Sequence, residues 1–259
     1  MSDLARIGSE TARGGFANER AIASKFKSWK TDKEAQKWLV IMSYDLDEIE
    51  DVDAIVIHGH KTDVQVKVIV KLKKGFSVEN ISVKKANKGF SFNQVDKRPV
   101  EHYKKMWDIP EYLADLLKMF TGEISPLDLL KKGKITRKKY NSLRDRRRFF
   151  LTEFEEKDIQ IIIDFFRKNK MLVVTDLIKG NDEYAADWML VTLLDKQRDE
   201  TKWALADINK ALSIFEGGDI RISPKGSLYI GKIFMQRKGG TPDPKSLQFK
   251  INPSLLFGV

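Results

Sequence analysis

The chain has 259 residues, with 47 Lys and Arg against 37 Asp and Glu, a formal net charge of +10, and no cysteine. That length supports a sizeable core, in one elaborated domain or a domain with a subdomain, and the basic excess favours polyanionic partners. The lack of cysteine excludes disulfides, zinc-thiolate clusters and thiol nucleophiles. Met1 to Glu10 lacks the apolar core of a signal peptide, and the longest strongly apolar run, Trp188 to Leu194, is far too short to span a bilayer. A cytoplasmic protein with no membrane partner is expected.

In chain order, Phe16 to Trp29 reads as an amphipathic helix, with Ile22, Phe26 and Trp29 on one buried stripe and Glu19 three residues before it. A carboxylate on an apolar stripe is costly unless compensated. It reads either as a first-turn acid suited to the helix dipole or as a second acid near a metal. Lys33 to Met42 is a second helix. Ala54 to Lys84 is rich in strand: Val64, Val66, Val68 and Val70 alternate with Gln65, Lys67 and Ile69, and Lys73-Lys74-Gly75 makes the turn into a return strand. There Ile81 and Val83 take the apolar face, which leaves Ser82 and Lys84 on the polar one, the side on which Asp63 also falls.

Asp63 followed by Ser82-Val83-Lys84 is the spacing with which metal-dependent nucleases set a metal ligand beside a catalytic ammonium. Phosphodiester hydrolysis needs a divalent cation that polarises the phosphoryl oxygen and acidifies a water, and a carboxylate holds such an ion. A surface hairpin with solvated charges has the same pattern. His58, His60 and His102 show no metal-ligand spacing.

Further along, Gly89-Phe90-Ser91-Phe92-Asn93-Gln94 joins aromatics to amides, which wedge between base steps and read base edges respectively. Core packing of the two rings is the competing reading. Helices follow near Val100 to Trp107, Glu111 to Met119 and Glu155 to Asn169. Between Lys131 and Arg148 stand ten basic residues and one acid, Asp145, a basic loop or insert suited to phosphate contact, with Arg146 and Arg147 near its end. A strand over Trp188 to Leu194 and a helix over Leu205 to Phe215 come next. Gly218 to Ile251 reads as strands and turns that end in the basic Gln236-Arg237-Lys238-Gly239-Gly240.

Taken together and in order, Asn18-Glu19, Asp63 with Val83-Lys84, Phe92 to Lys97, His102-Tyr103 with Met106-Trp107, Phe120 to Glu123, Gln236 to Gly240 and Leu247 to Lys250 resemble a HinP-type type II restriction endonuclease of the PD-(D/E)XK superfamily. The resemblance runs from Gly14 to Pro253. It implies an α/β fold: a restriction-endonuclease-like core, mixed β-sheet flanked by helices, in a single elaborated domain over 1–259. It also implies magnesium-dependent cleavage of double-stranded DNA, GCGC as the target, and a paired DNA methyltransferase.

Carried over residue by residue, Asp63 is the metal-binding carboxylate and Lys84 the catalytic lysine. Ser82 stands where many nucleases have an acid and the HinP-type pattern has glutamine. Its hydroxyl and the Val83 carbonyl are then the remaining oxygen donors for the metal, with Glu19 as an auxiliary acid. Phe92 becomes the intercalating wedge, Asn93 and Gln94 base readers, and Gln236, Arg237 and Lys238 further DNA contacts. The departure at Ser82 keeps open a noncatalytic DNA-binding protein on the same fold. A structure-specific repair nuclease is the third reading.

Overall fold

The computed structural model describes residues 3–57, 65–86, 92–195, 200–237 and 246–258. Two compact units emerge, each assembled from separate stretches of chain. The first takes Met1–Asn93, Ile178–Ile214 and Asn252–Val259, and the second Gln94–Leu177 and Phe215–Ile251.

The first unit is built on a mixed sheet in the order β1-β2-β3-β5-β6, with strands Ile49–Ile57, Gln65–Leu72, Gly75–Ala86, Trp188–Asp195 and Glu200–Asp207. β3 and β5 are parallel, and the other neighbours are antiparallel. Helix α1 (Asp3–Lys27) lies against β1, β2 and β3. Its Ile22, Ala23, Phe26 and the following Trp29 join one buried cluster with Val66, Val68, Val70, Ile81, Val83 and Leu190. The valine alternation of β2 supplies the centre of this core, because directly paired residues share a face of the sheet. Asp32 caps α2 (Lys33–Ile41), accepting from the backbone amides of Glu34 and Ala35 at 2.9 and 3.0 Å.

The second unit has its own sheet, ordered β4-β10-β9-β8-β7, with strands Asn93–Pro99, Ser246–Ile251, Ile233–Arg237, Leu228–Ile230 and Ile220–Ile222. Its helices are α3 (Val100–Met106), α4 (Glu111–Thr121), α5 (Pro126–Lys131), α6 (Arg137–Ser142), α7 (Glu156–Lys168) and α8 (Lys170–Ile178). One face of this sheet is core: Tyr103 and Trp107 both meet Phe249 edge-on, with centroids 5.1 and 5.6 Å away. Among the described residues no helix is long and apolar enough to cross a membrane.

Three expected boundaries move. The first helix begins at Asp3 rather than near Phe16. The strand region starts at Ile49, because Glu50, Asp51 and Asp53 occupy exposed positions while Ile49, Val52 and Ala54 face the core. Leu205 to Asp207, expected at the head of a helix, complete β6, and helix α9 runs from Ile208 to Glu216. Pairing Leu205 with Leu190 and Trp203 with Thr192 across β5 decides this, since strand partners override a local helical preference.

Candidate active site and nucleic-acid interface

β3 carries the centre of the candidate active site. Flanked by β2 and β5, it leaves Ser82 at 4% and Lys84 at 5% exposure. The two side chains share one face by the period-two rule, while Ile81 and Val83 lie on the other with α1. Ser82 pairs with Gln65 on one side and Met189 on the other, and Lys84 pairs with Val191. Lysine is almost never so deeply buried without a compensating partner, which makes Lys84 an expensive choice for a purely structural position.

Asp63 lies outside the described residues, two positions before Gln65, the partner of Ser82. Glu19 is buried at 7% exposure on the α1 stripe, and that stripe packs against the Ile81 and Val83 side of β3. Beside it, Asn18 Oδ1 accepts a 2.8 Å hydrogen bond from the Thr192 hydroxyl, and Thr192 stands opposite Lys85 in the strand register. The structure thus brings Ser82 and Lys84 to one face and buries Glu19 on α1, the helix whose Ile22 and Phe26 join the core with Ile81 and Val83.

Among the described residues no group of three or more His, Asp and Glu converges as a metal cage. Magnesium needs only one or two carboxylates, because it keeps much of its hydration. The hydroxyl of Ser82 is a neutral oxygen donor of the kind such an ion accepts, and the sequence assigns the carboxylate to Asp63, outside the described residues.

The second unit presents a polar sheet face opposite its core. Leu247, Phe249, Ile251, Met235 and Ile233 are fully buried on the core side, so the intervening Gln248, Gln236 and Phe234 belong to the other. There Gln236 Nε2 donates to Gln248 Oε1 at 2.8 Å, and Gln248 Nε2 donates in turn to Gln94 Oε1. Along the same face the Arg221 guanidinium lies 4.0 Å from the Tyr229 ring centroid. Phe92 is exposed at 40%. Asn93 Nδ2 donates to the Lys85 carbonyl at 2.8 Å. Lys238 lies outside the described residues.

The basic segment is partly helical rather than a plain loop: α5 ends at its first residue, Lys131, and α6 spans Arg137–Ser142. Thr136 caps α6, accepting from the Lys139 amide at 3.1 Å. Beyond α6, Arg144 and Arg148 bracket the Phe150 ring at 4.1 and 4.2 Å from its centroid, and Arg146 lies 5.6 Å from that of Tyr140. Arg147 grips Asp145 with two bonds of 2.9 and 3.1 Å, and this pairing holds the Asp145 carboxyl below its usual range. Burial pushes the Arg148 guanidinium below its ordinary value, and the like charge of Arg237 pushes the same way. Burial likewise lowers Arg237. Half-buried guanidinium groups that repel one another suit an anionic ligand.

Two glycines fix this segment. At Gly122 (φ +92°) a Cβ would meet the Arg147 carbonyl oxygen at 2.6 Å, and at Gly226 (φ +77°) it would meet Phe150 Cβ at 2.6 Å. Arg144, Arg148, Arg221 and Gln248 escaped the sequence reading as individual functional candidates. The first two were visible only as part of a charge run, and Gln248 only as part of a longer motif.

The family model described as R.HinP1I restriction endonuclease matches residues 42–257. Among solved structures, the crystal structure of restriction endonuclease MspI in complex with its cognate DNA is similar in fold. Its TM-score is 0.62 at 15% identity, over 96% of this chain and 93% of that one. No curated protein matches.

Proposed function

The chain belongs to the R.HinP1I restriction endonuclease family, and from that membership we propose how its residues cut DNA and where. As a type II site-specific deoxyribonuclease it hydrolyses a phosphodiester. The finer reading is magnesium-dependent cleavage of double-stranded DNA at the palindrome GCGC, in the cytoplasm, beside a methyltransferase that protects the same site. In this reading the two compact units are parts of one elaborated nuclease domain. The MspI structure, solved with cognate DNA, supports duplex DNA as the partner.

The observation that carries the reading is the burial of Ser82 and Lys84 on one face of β3. Bound magnesium supplies a Lewis acid for the phosphoryl oxygen and an acidified water. Asp63 holds the ion, with the Ser82 hydroxyl and the Val83 carbonyl as neutral oxygen donors. Lys84 sets its ammonium against the charge that builds on the phosphate, in a site where burial strengthens the attraction. Glu19, buried on α1, is the auxiliary acid of this reading, acting through water.

On the DNA side, exposed Phe92 is the wedge. Gln94 and Gln236 read base edges, Arg237 and Lys238 make further DNA contacts, and Asn93, bonded to the Lys85 carbonyl, is a base reader through its remaining polar atoms. Arg146 and Arg147 contact phosphates. Asp63→Ala is expected to retain DNA binding and lose cleavage; unchanged cutting by that variant sinks the assignment. The replacement of an acid by Ser82 motivates a second reading, a DNA binder without catalysis. Plasmid incubated with magnesium or with chelator separates the two: discrete magnesium-dependent fragments mark the enzyme, and retarded but intact DNA marks the binder.

A further inference from the structure

Three side-chain amides run in a chain across the polar face of the second sheet. β10 lies between β4 and β9, so Gln248 stands between Gln94 and Gln236 and bonds both. Gln248 is buried at 6% exposure, while the two end residues are half-buried. We propose that Gln248 is a positioning residue for sequence recognition, fixing which polar group Gln94 and Gln236 each present to a base edge. The inference rests on the reading above that those two residues contact DNA.

A carboxamide has one acceptor oxygen and one donor NH2 group. In the middle of the chain, Gln248 must turn its oxygen to one neighbour and its nitrogen to the other. Within the chain Gln94 uses its oxygen and neither N–H, and Gln236 uses one of its two N–H groups and not its oxygen. Running the chain in the opposite sense exchanges the ends and preserves their opposition. One end always offers donors and the other an acceptor.

An unrestrained glutamine turns its amide over to suit either kind of base edge and so discriminates poorly. A fixed NH2 selects acceptors such as guanine O6 and N7, and a fixed carbonyl selects donors such as cytosine N4. A target made of guanine and cytosine asks for this pair of opposite ends. Hydrogen bonds in a chain also reinforce one another, so the buried middle member stiffens both ends.

The test is a sequence-preference measurement on randomised duplexes, read from duplexes retained in chelator and from fragments released in magnesium. Gln94→Ala and Gln236→Ala first define the base positions that each residue reads, by a loss of preference there of about tenfold or more. Gln236→Glu cannot donate to Gln248, so the chain reverses and Gln94 turns its oxygen outward. The preferred base at the Gln94 position is then expected to switch by about tenfold, although Gln94 itself is intact. Gln248→Glu accepts from both neighbours and is expected to produce the same switch.

If Gln94→Ala alters its position but neither Glu variant does, the positioning role is wrong and the DNA-reading assignment survives. If the alanine variants leave every preference unchanged, the DNA-reading assignment fails and the inference with it. Should Gln248→Glu fail to fold, Gln236→Glu at its half-buried position decides alone. A role confined to holding the sheet together predicts altered thermal stability in the Glu variants with preferences unmoved.

Discussion

Replacing Lys84 with methionine separates catalysis from folding. Met matches the length of the lysine stem and fills the same buried space beside Ser82, so packing is nearly conserved. Volume-conserving exchanges cost less than about 1.5 kcal/mol, which corresponds to no more than about 6 °C in a chain of this size. The loss for catalysis is larger. An ammonium about 4 Å from a phosphate charge, at an effective dielectric of about 20, contributes about 4 kcal/mol. At about 1.4 kcal/mol per tenfold, that is roughly a thousandfold in rate. A single-turnover plasmid assay, paired with a melting curve, is expected to show cleavage down by two to three orders of magnitude, taken as roughly 100- to 1,000-fold, with the fold intact. Cleavage within tenfold of the parent by a folded variant would refute the role of Lys84.

Two further outcomes concern stability. Gly226→Ala places a side chain at φ +77° and 2.6 Å from Phe150 Cβ, which disturbs the ring that Arg144 and Arg148 bracket. The left-handed backbone alone costs about 1–2 kcal/mol, so the melting midpoint is expected to fall by at least about 3 °C, and an unchanged midpoint contradicts the tight approach. Burial, reinforced by a hydrogen bond to Glu79, pushes the Tyr44 phenol up to about 12 from its ordinary value of 10.0. A folded value above the unfolded one means that this stabilisation is complete below about pH 10 and is lost as pH rises towards 12. The alkaline fall in melting temperature should be shallower in Tyr44→Phe, and identical slopes in the two proteins would show that Tyr44 plays no part.

What could be read from the sequence was what strand parity and local pattern determine. Alternating valines set β2 against the core, and the same parity put Ser82 and Lys84 on a common face. Tertiary partners decided the rest. Leu205 to Asp207 became strand because β5 lies beside them. The basic segment gained a helix capped at Thr136, and its arginines found the Phe120, Tyr140 and Phe150 rings, contacts that a count of charges does not reveal. Gln94 and Gln248 are far apart in the sequence, so their amide chain arises only from the strand order β4-β10-β9. Glu19, which the sequence left open between a first-turn acid and a second acid near the metal, lies well inside α1 rather than in its first turn, because the helix begins at Asp3.

Sequencing the ends of fragments from one magnesium digest of plasmid or phage DNA tests the central claim most directly. Ends that fall at a single short palindrome, GCGC in this reading, with no cutting in chelator, are the predicted result. Ends scattered without sequence preference, or DNA left intact with magnesium present, would contradict it.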